Sequence, residues 1–446
     1  MGEVSEPAFR PKGMIPFQTF MKLNPSVEFV RFHFQDYSGI LRARIATKSY
    51  ALSLAEENTF ISLPSPVLTA CTADGNILLE DIEVGEDQLW PDWSSLRVCH
   101  HLPGQAFVMC YLKECGIIDG KGFRRCPRTR LQEIMESSKE KHDLDFLVGF
   151  EVEFMIFKPD EKDFSLPPKR FLADASAYST ASLRTPYISI VEEIVISLVK
   201  SGIQVRQYHS EGEHGLFEIT GEPLPPLHAV DATIFTHETI KTICTKHGLH
   251  ATMHPKPFEK LSIIGSHMHL SISRAEKEDS FLAGVLEHWA ALAAFYAPNF
   301  DSYARLKPDT WVCWGLLNKT APIKKVTNGR WEFRSVDATS NLFLVLIAVL
   351  TAGLLGFEAD KELTIKDPKR IMLKPLEDDV AKEHGIKDKM PTTLKTAIST
   401  LKEDKALVDA LGPELADKYL HVKTKEEEAF SNLIGFERRE ISMRQF

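Results

Sequence analysis

Three short stretches put charged or metal-binding side chains at alternate positions with large apolar ones between them. They are 149–155, reading GFEVEFM; 266–272, reading SHMHLSI; and 329–335, reading GRWEFRS. Successive strand side chains point to opposite faces, so Glu151 and Glu153 share one face while Phe150, Val152 and Phe154 share the other. By the same rule His267, His269 and Ser271 oppose Met268, Leu270 and Ile272, and Arg330, Glu332 and Arg334 oppose Trp331 and Phe333. Strands of this kind line a polar cavity on one side and pack a core on the other. A surface Glu or a core His explains any one of these residues, but an alternating strand has little other reason to bury two carboxylates on one face. Carboxylates facing one cavity repel one another and stay ionised together only when cations sit among them. The pattern therefore predicts metal-dependent chemistry.

The elements that must position these groups follow from the rest of the chain. At 446 residues it exceeds what one hydrophobic core usually organises, and two domains are expected. Residues 1–14 read as a loose tail, with Pro7, Pro11 and Gly13 in a polar segment. Residues 15–122 read as a small strand-rich domain, with short alternating runs such as 27–34 and 106–111 separated by Asp74-Gly75-Asn76 and Pro103-Gly104. After a linker at 119–122, residues 123–446 alternate polar-faced strands with helices over 129–141, 182–201, 229–248 and 281–296, a mixed α+β arrangement. The longest apolar run, 342–357, is interrupted by Thr351, Gly353 and Gly356 and is too short to span a bilayer, so it reads as a buried core helix. From Asp378 onward the Lys-, Glu- and Ala-rich sequence predicts amphipathic surface helices.

A net charge of −9 gives no general attraction to nucleic acid or anionic lipid. Seven cysteines, an odd number without CxxC pairs, suit reduced thiols and a cytoplasmic setting. The first residues show no apolar signal core, and Glu6 stands where a myristoylation motif needs Ser or Thr.

With these strands in place, the chain resembles the glutamine synthetase family. The match is carried by 149–153 (GFEVE), 211–218 (EGEHGLFE), 250–257 (HATMHPKP), 267–271 (HMHLS) and 330–334 (RWEFR), followed by Asp337 and Asn341, with 87–93 (DQLWPDW) in the smaller domain. The resemblance implies an N-terminal β-grasp domain and a catalytic domain on a curved antiparallel sheet. It also implies ring-shaped homo-oligomers with active sites between subunits, and chemistry in which ATP phosphorylates a carboxylate, typically the γ-carboxylate of glutamate, before an amine displaces phosphate.

Carried over motif by motif, Glu153, Glu211 and Glu218 would hold one divalent cation and Glu151, His267 and Glu332 a second, within a set of two or three Mg2+ or Mn2+ ions suited to oxygen donors. His269, Ser271 and Arg330 match positions at the ATP phosphates. Arg334 and Arg305 match arginines that hold the substrate carboxylate and the transferring phosphate, for which planar guanidinium forks are suited. No Gly-x-x-x-x-Gly-Lys-Ser/Thr stretch exists, so nucleotide binding is not of the P-loop kind.

The departures lie around the substrates. Trp311 stands where the family has a flap glutamate that binds and deprotonates ammonium, and an indole there is expected to narrow the amine entrance. The Asp-Gly-Ser-Ser stretch of the small domain is replaced by 59–65 (TFISLPS), Asn-Gly before the HxH strand by Ser262-Ile263, and two phosphate-contacting arginines by Lys319 and Lys324. Loss of two anionic groups from an ammonium site favours another amine. The reading is an ATP-dependent carboxylate–amine ligase forming an amide, a γ-glutamyl amide by resemblance, with an amine other than ammonia. The alternatives are a true glutamine synthetase, using other acidic groups such as Asp309 or Glu213, and a non-catalytic structural or signalling descendant.

Overall fold

The computed structural model describes residues 16–69, 71–76, 78, 85–113, 125–158, 177–213, 215–260, 263–306, 310–369 and 376–446. The tail, the linker at 119–122, His214, Ser262 and Asp309 lie outside them.

The first sheet is built from β1 (Phe29–Gln35), β2 (Leu41–Thr47), β3 (Ile61–Pro64), β4 (Glu86–Val98) and β5 (Gln105–Lys113), in the order β2-β1-β5-β4-β3. Only β1 and β5 run parallel, an arrangement of the β-grasp type, and helices Phe17–Leu23 and Lys48–Glu56 accompany it. The second sheet has eight strands: β6 (Phe146–Phe157), β7 (Val205–Ser210), β8 (Leu216–Gly221), β9 (His250–Thr252), β10 (Met268–Ile272), β11 (Trp314–Leu316), β12 (Ile323–Thr327) and β13 (Arg330–Phe333). Their order is β11-β12-β13-β10-β6-β8-β7, with β9 also on β6, and every pair but β11–β12 is antiparallel. The long β6 is the pivot. Its first half pairs with β10 and its second half with β8 and β9.

The alternation in the sequence holds in the folded chain. Along β6, Val148, Phe150, Val152 and Phe154 are buried while Glu151 and Glu153 are half-exposed on the other face. The apolar face rests on helices Pro226–Lys246 and Glu278–Tyr296. Beneath β13, Trp331 stacks on Phe281 with ring centroids 5.6 Å apart, and Phe333 meets Trp289. Helix Glu278–Tyr296 lies against Leu342–Glu358, the apolar run, which is buried along nearly its whole length. The two backbones meet at glycines. A Cβ on Gly284 would fall 2.3 Å from the Ala352 carbonyl oxygen, and one on Gly356 2.3 Å from that of Ser280. Among the described residues no helix is long and apolar enough to cross a membrane.

The two sheets share one continuous core. Buried Arg128 joins them: it pairs with Asp92 of β4 at 2.5 Å and with Asp231 of helix Pro226–Lys246, and lies over the ring of Tyr111, 4.9 Å from its centre. The Asn341 amide caps the apolar helix through its oxygen, accepting from Leu344 N–H, while its NH2 donates to the Asp36 carbonyl at 2.9 Å.

Candidate active site

Strand register gathers the polar side chains into two rows on one face of the second sheet. In the first, Lys324 of β12 stands opposite Glu332 of β13, Glu332 opposite His269 of β10, and His269 opposite Gly149 of β6. In the second, Glu153 of β6 stands opposite Glu218 of β8, and Glu218 opposite His209 of β7. Glu151 lies between the rows, two residues from Gly149 and two from Glu153. Above the rows opens a cavity of about 500 Å³, whose wall also includes Tyr178, Lys319 and Arg334.

Glu151 is the hub. Its Oε2 lies 2.8 Å from Nδ1 of His267 and its Oε1 2.8 Å from Nε2 of His269. The same His267 nitrogen is 3.8 Å from both Glu153 and Glu332. Glu153 accepts the Gly265 backbone N–H at 2.7 Å, an approach that needs glycine: a Cβ there would sit 2.8 Å from the His267 imidazole and 2.9 Å from the Arg305 guanidinium. Glu332, almost wholly buried, pairs with Lys324 at 2.5 Å through Oε2 and with Arg334 through Oε1. In the second row, His209 Nε2 is 2.9 Å from Glu211 and 3.6 Å from Glu218.

The electrostatics divide along the same lines. Burial would raise the Glu151 carboxyl, but hydrogen bonds from the two imidazoles outweigh it and hold the group well below the usual carboxylate range. Glu332 is also lowered, with Arg334 and Lys324 overcoming burial. Among the described residues no Lys or Arg pairs with Glu218. Burial, then the charges of Glu151, Glu153, Glu211 and Glu332, push it up to about 9.

The donor set fits divalent cations. One ligand atom each from Glu151, His269 and Glu332 falls within 4.8 Å of the others, and so does one each from His209, Glu211 and Glu218. Carboxylate oxygens with a few imidazole nitrogens are the donors that Mg2+ and Mn2+ take. A cation in the second group would relieve the repulsion that drives Glu218 upward.

The sequence-derived assignments are thus gathered with some regrouping. Glu151, Glu153, Glu211, Glu218, His267 and Glu332 all line the cavity, as do Lys319, Lys324 and Arg334. His269 joins Glu151 and Glu332 as a candidate ligand, and His267 bridges the carboxylates at their centre. His209 and Tyr178 were not singled out in the sequence. His209 obeys the same i, i+2 rule, since Gln207, His209 and Glu211 fall on one face; Tyr178, whose ring lies 4.9 Å from that of His209, carries no such signal. Ser271 and Arg330 stand opposite one another on β10 and β13, off the cavity wall.

Two expectations change. Trp311 does not narrow the cavity: it is buried in a satellite core with Cys313, Ala321, Leu376 and Ile386, its indole N–H donating to the Leu376 carbonyl at 2.8 Å. An aromatic surface of that size is more stable packed than held at a polar mouth. Arg305 directs its guanidinium at backbone instead of an oxyanion, donating to the carbonyls of Arg334, Ser335 and Val336 at 2.6–3.1 Å. It fixes the loop that follows β13, and with it the base of Arg334. Of the replaced substrate-side residues, Ile263 is exposed and Ile264 packs among Met155, Phe157 and Phe258.

Residues 124–440 match the family described as glutamine synthetase, catalytic domain. The chain belongs to the glutamine synthetase family. Members of this family are ATP-dependent ligases that join glutamate to ammonia or another amine and use divalent metals. Protein fluG of Emericella nidulans is 32% identical over 430 residues; the match covers 93% of this chain but 48% of fluG, so the chain spans about half that relative's length. The gamma-glutamylpolyamine synthetase GlnA3 of Streptomyces coelicolor is 28% identical, covering 81% of this chain and 82% of GlnA3. The glutamine synthetase of Methanocaldococcus jannaschii is also 28% identical, over 93% of this chain and 94% of its own. In structure, ligand-free GmaS superposes with a TM-score of 0.80 at 24% identity, covering 95% of this chain and 98% of GmaS, which shows the shared fold.

Proposed function

We propose that this glutamine synthetase family member is an ATP-dependent carboxylate–amine ligase whose acceptor is an organic amine, and that the acyl donor is glutamate or a closely similar acid, giving a γ-glutamyl amide. The single observation that carries the reading is the paired rows of carboxylates and imidazoles on one cavity. In that cavity two metal-competent groups sit beside the cations Lys319, Lys324 and Arg334. Bound divalent metal would neutralise the phosphate oxygens of ATP and favour phosphoryl transfer. The holders would be Glu151, His269 and Glu332 in one group and His209, Glu211 and Glu218 in the other, with Glu153 and His267 between them.

The residues of the chain do the rest. Arg334, based on the loop that Arg305 fixes, orients the carboxylate, and Lys319 and Lys324 supply positive charge toward the phosphates. A carboxylate oxygen attacks the γ-phosphorus and ADP leaves. The amine then attacks the acyl carbon, phosphate departs, and the amine proton passes to an acidic group at the cavity.

The amine preference rests on the wall itself. Of the described anionic side chains of the cavity, all but Glu153 belong to the candidate metal groups. Tyr178 and Tyr208 give the rim aromatic surface that suits the carbon skeleton of an organic amine. GlnA3, by its name, makes γ-glutamyl polyamines, which favours the same direction. A second reading, glutamine synthesis from ammonia, is favoured by the M. jannaschii relative. Assembly into a ring, with the first sheet of one subunit closing the site of the next, belongs to the same proposal.

The test is mass-spectrometric detection of amides from purified protein, Mg2+ or Mn2+, ATP, glutamate and an amine panel that includes ammonia. An amide with an organic amine, formed faster than glutamine, is the expected result. Glutamine as the sole product would establish the second reading.

A further inference from the structure

Asp337 lies in the loop that leads from β13 to the buried helix Leu342–Glu358, and it is wholly closed to solvent. Its backbone N–H donates to the Tyr296 carbonyl at 3.1 Å, and its own carbonyl accepts from Ser340 N–H at 3.2 Å. Oδ1 of its side chain accepts twice from Thr339, from the backbone N–H at 3.0 Å and from the hydroxyl at 2.5 Å, while Oδ2 has no hydrogen-bond partner. Burial raises the pKa of this carboxyl, and the Arg305 charge is the largest effect in the other direction, ahead of hydrogen bonds from Ser302 and Thr339. The ionised form therefore costs the fold stability, and an uncharged side chain of the same shape would close the same turn. The turn does not account for the charge.

Arg305 accounts for it. Its half-buried guanidinium donates to three neutral carbonyls, those of Arg334, Ser335 and Val336, and forms no direct ion pair among the described residues. Two carboxylates attract it, Asp337 more strongly and then Glu153, while Arg334 repels it. Glu153 is near, since a Cβ on Gly265 would meet the Arg305 guanidinium at 2.9 Å and Glu153 Oε1 at 3.0 Å. Only bare backbone stands between cation and carboxylate there. Glu153 lines the metal-competent cavity, so a guanidinium drawn onto it would cancel negative charge that a bound cation needs.

We propose that Asp337 is a positioning residue for the cavity. It keeps the Arg305 guanidinium on the carbonyls of residues 334–336 and off Glu153, which leaves the Glu153 charge to a bound cation and holds the base of Arg334. The part that concerns Arg334 rests on the ligase reading. The part that concerns Glu153 rests only on the metal-competent cavity.

Mn2+ binding to the metal-free full chain, followed by electron paramagnetic resonance, tests this without any turnover. Asp337→Asn should weaken the affinity by about tenfold, the lower end of the range for outer partners of metal ligands, because the released guanidinium turns to Glu153. In an Arg305→Gln background the same substitution should have no further effect. Simple loss of a negative charge, or damage to the loop, would weaken binding equally in both backgrounds and so overturn the proposal, as would unchanged affinity in Asp337→Asn. Arg305→Gln alone leaves the buried carboxylate in place and gives a second arm should the Asp337 variant fail to fold. It should bind Mn2+ at least as tightly as the unsubstituted protein, and its KM for glutamate should rise severalfold with kcat little changed, since Arg334 loses its fixed base. Weaker Mn2+ binding in Arg305→Gln would overturn the hold on Glu153, and an unaltered KM the hold on Arg334. The expected Mn2+ pattern in a protein that forms no amide would sink the ligase reading and leave the Asp337 role standing.

Discussion

At the scale of single residues, the site is legible because metal and phosphate chemistry demands side-chain types that strands do not otherwise bury. Glu151, Glu153, His267, His269 and Glu332 announce themselves by alternation alone. His209 escaped because its strand, β7, carries half-exposed residues on both faces and no contrasting apolar run. Trp311 and Arg305 show the limit of carrying a role from a motif: side-chain type and spacing were matched, but direction is decided by packing. Two predictions separate these cases. His209→Ala should weaken Mn2+ binding by about tenfold or more, the range seen even for outer-shell partners of metal ligands, while leaving the thermal midpoint of the metal-free protein nearly unchanged. Electron paramagnetic titration of Mn2+ checks this, and unaltered affinity would remove His209 from the ligand set. Trp311→Glu should act on stability, because it places a carboxylate in an apolar cluster. A loss on the order of 3 kcal/mol or more is expected from urea unfolding, with the ratio of ammonia to organic-amine use unchanged.

At the scale of elements, the register matters more than any single contact. A one-residue slip of β10 would turn His267 and His269 toward the core and Met268 toward the cavity. The buried helix Leu342–Glu358 and its partner Glu278–Tyr296 form the floor that holds this register, and their contact is set by Gly284 and Gly356. Gly356→Val should therefore destabilise the fold by about 3 kcal/mol or more through overpacking, seen as a lower denaturation midpoint, whereas Gly248→Ala, in open space at a left-handed φ of 68°, should cost about 1–2 kcal/mol. Equal effects would mean that the glycine contact does not set the floor. The five helices bounded in the sequence, 129–141, 182–201, 229–248, 281–296 and 342–357, are matched by helices of the structure to within six residues at their ends. The short helices Phe17–Leu23 and Lys48–Glu56 were not legible, since each is shorter than the window over which a 3.6-residue period becomes distinct from alternation. The pairing of β1 with β5 is also invisible in a single chain, because a parallel contact across some seventy positions leaves no local mark.

At the scale of the whole molecule, the shared core contains buried histidines whose ionisation sets the acid limit of stability. Burial depresses His33 and His237 to about 3 and His101 and His254 to about 4. Their folded values lie below the unfolded one, so they contribute stability above the unfolded value, near 6.5, that is lost as pH falls toward the folded values. Asp36, raised by burial to about 6, Glu218, pushed up to about 9, and Asp337, also raised by burial, work in the opposite sense, losing their contribution as pH rises through their folded values, but they are three groups against four. Between pH 7 and 5.5 each histidine should cost about 1 kcal/mol, and the urea midpoint should fall. A midpoint that rises on acidification would contradict the buried-neutral assignment.

The central claim is that this cavity activates a carboxylate by phosphorylation, and oxygen tracing tests it most directly. Glutamate labelled with 18O in its γ-carboxylate is incubated with ATP, Mg2+ and the best amine of the panel, and the inorganic phosphate released is examined by mass spectrometry. The account predicts one 18O atom in each phosphate formed with amide, and loss of this transfer in Glu332→Ala. Amide formation with unlabelled phosphate, or labelled phosphate undiminished in Glu332→Ala, would contradict it.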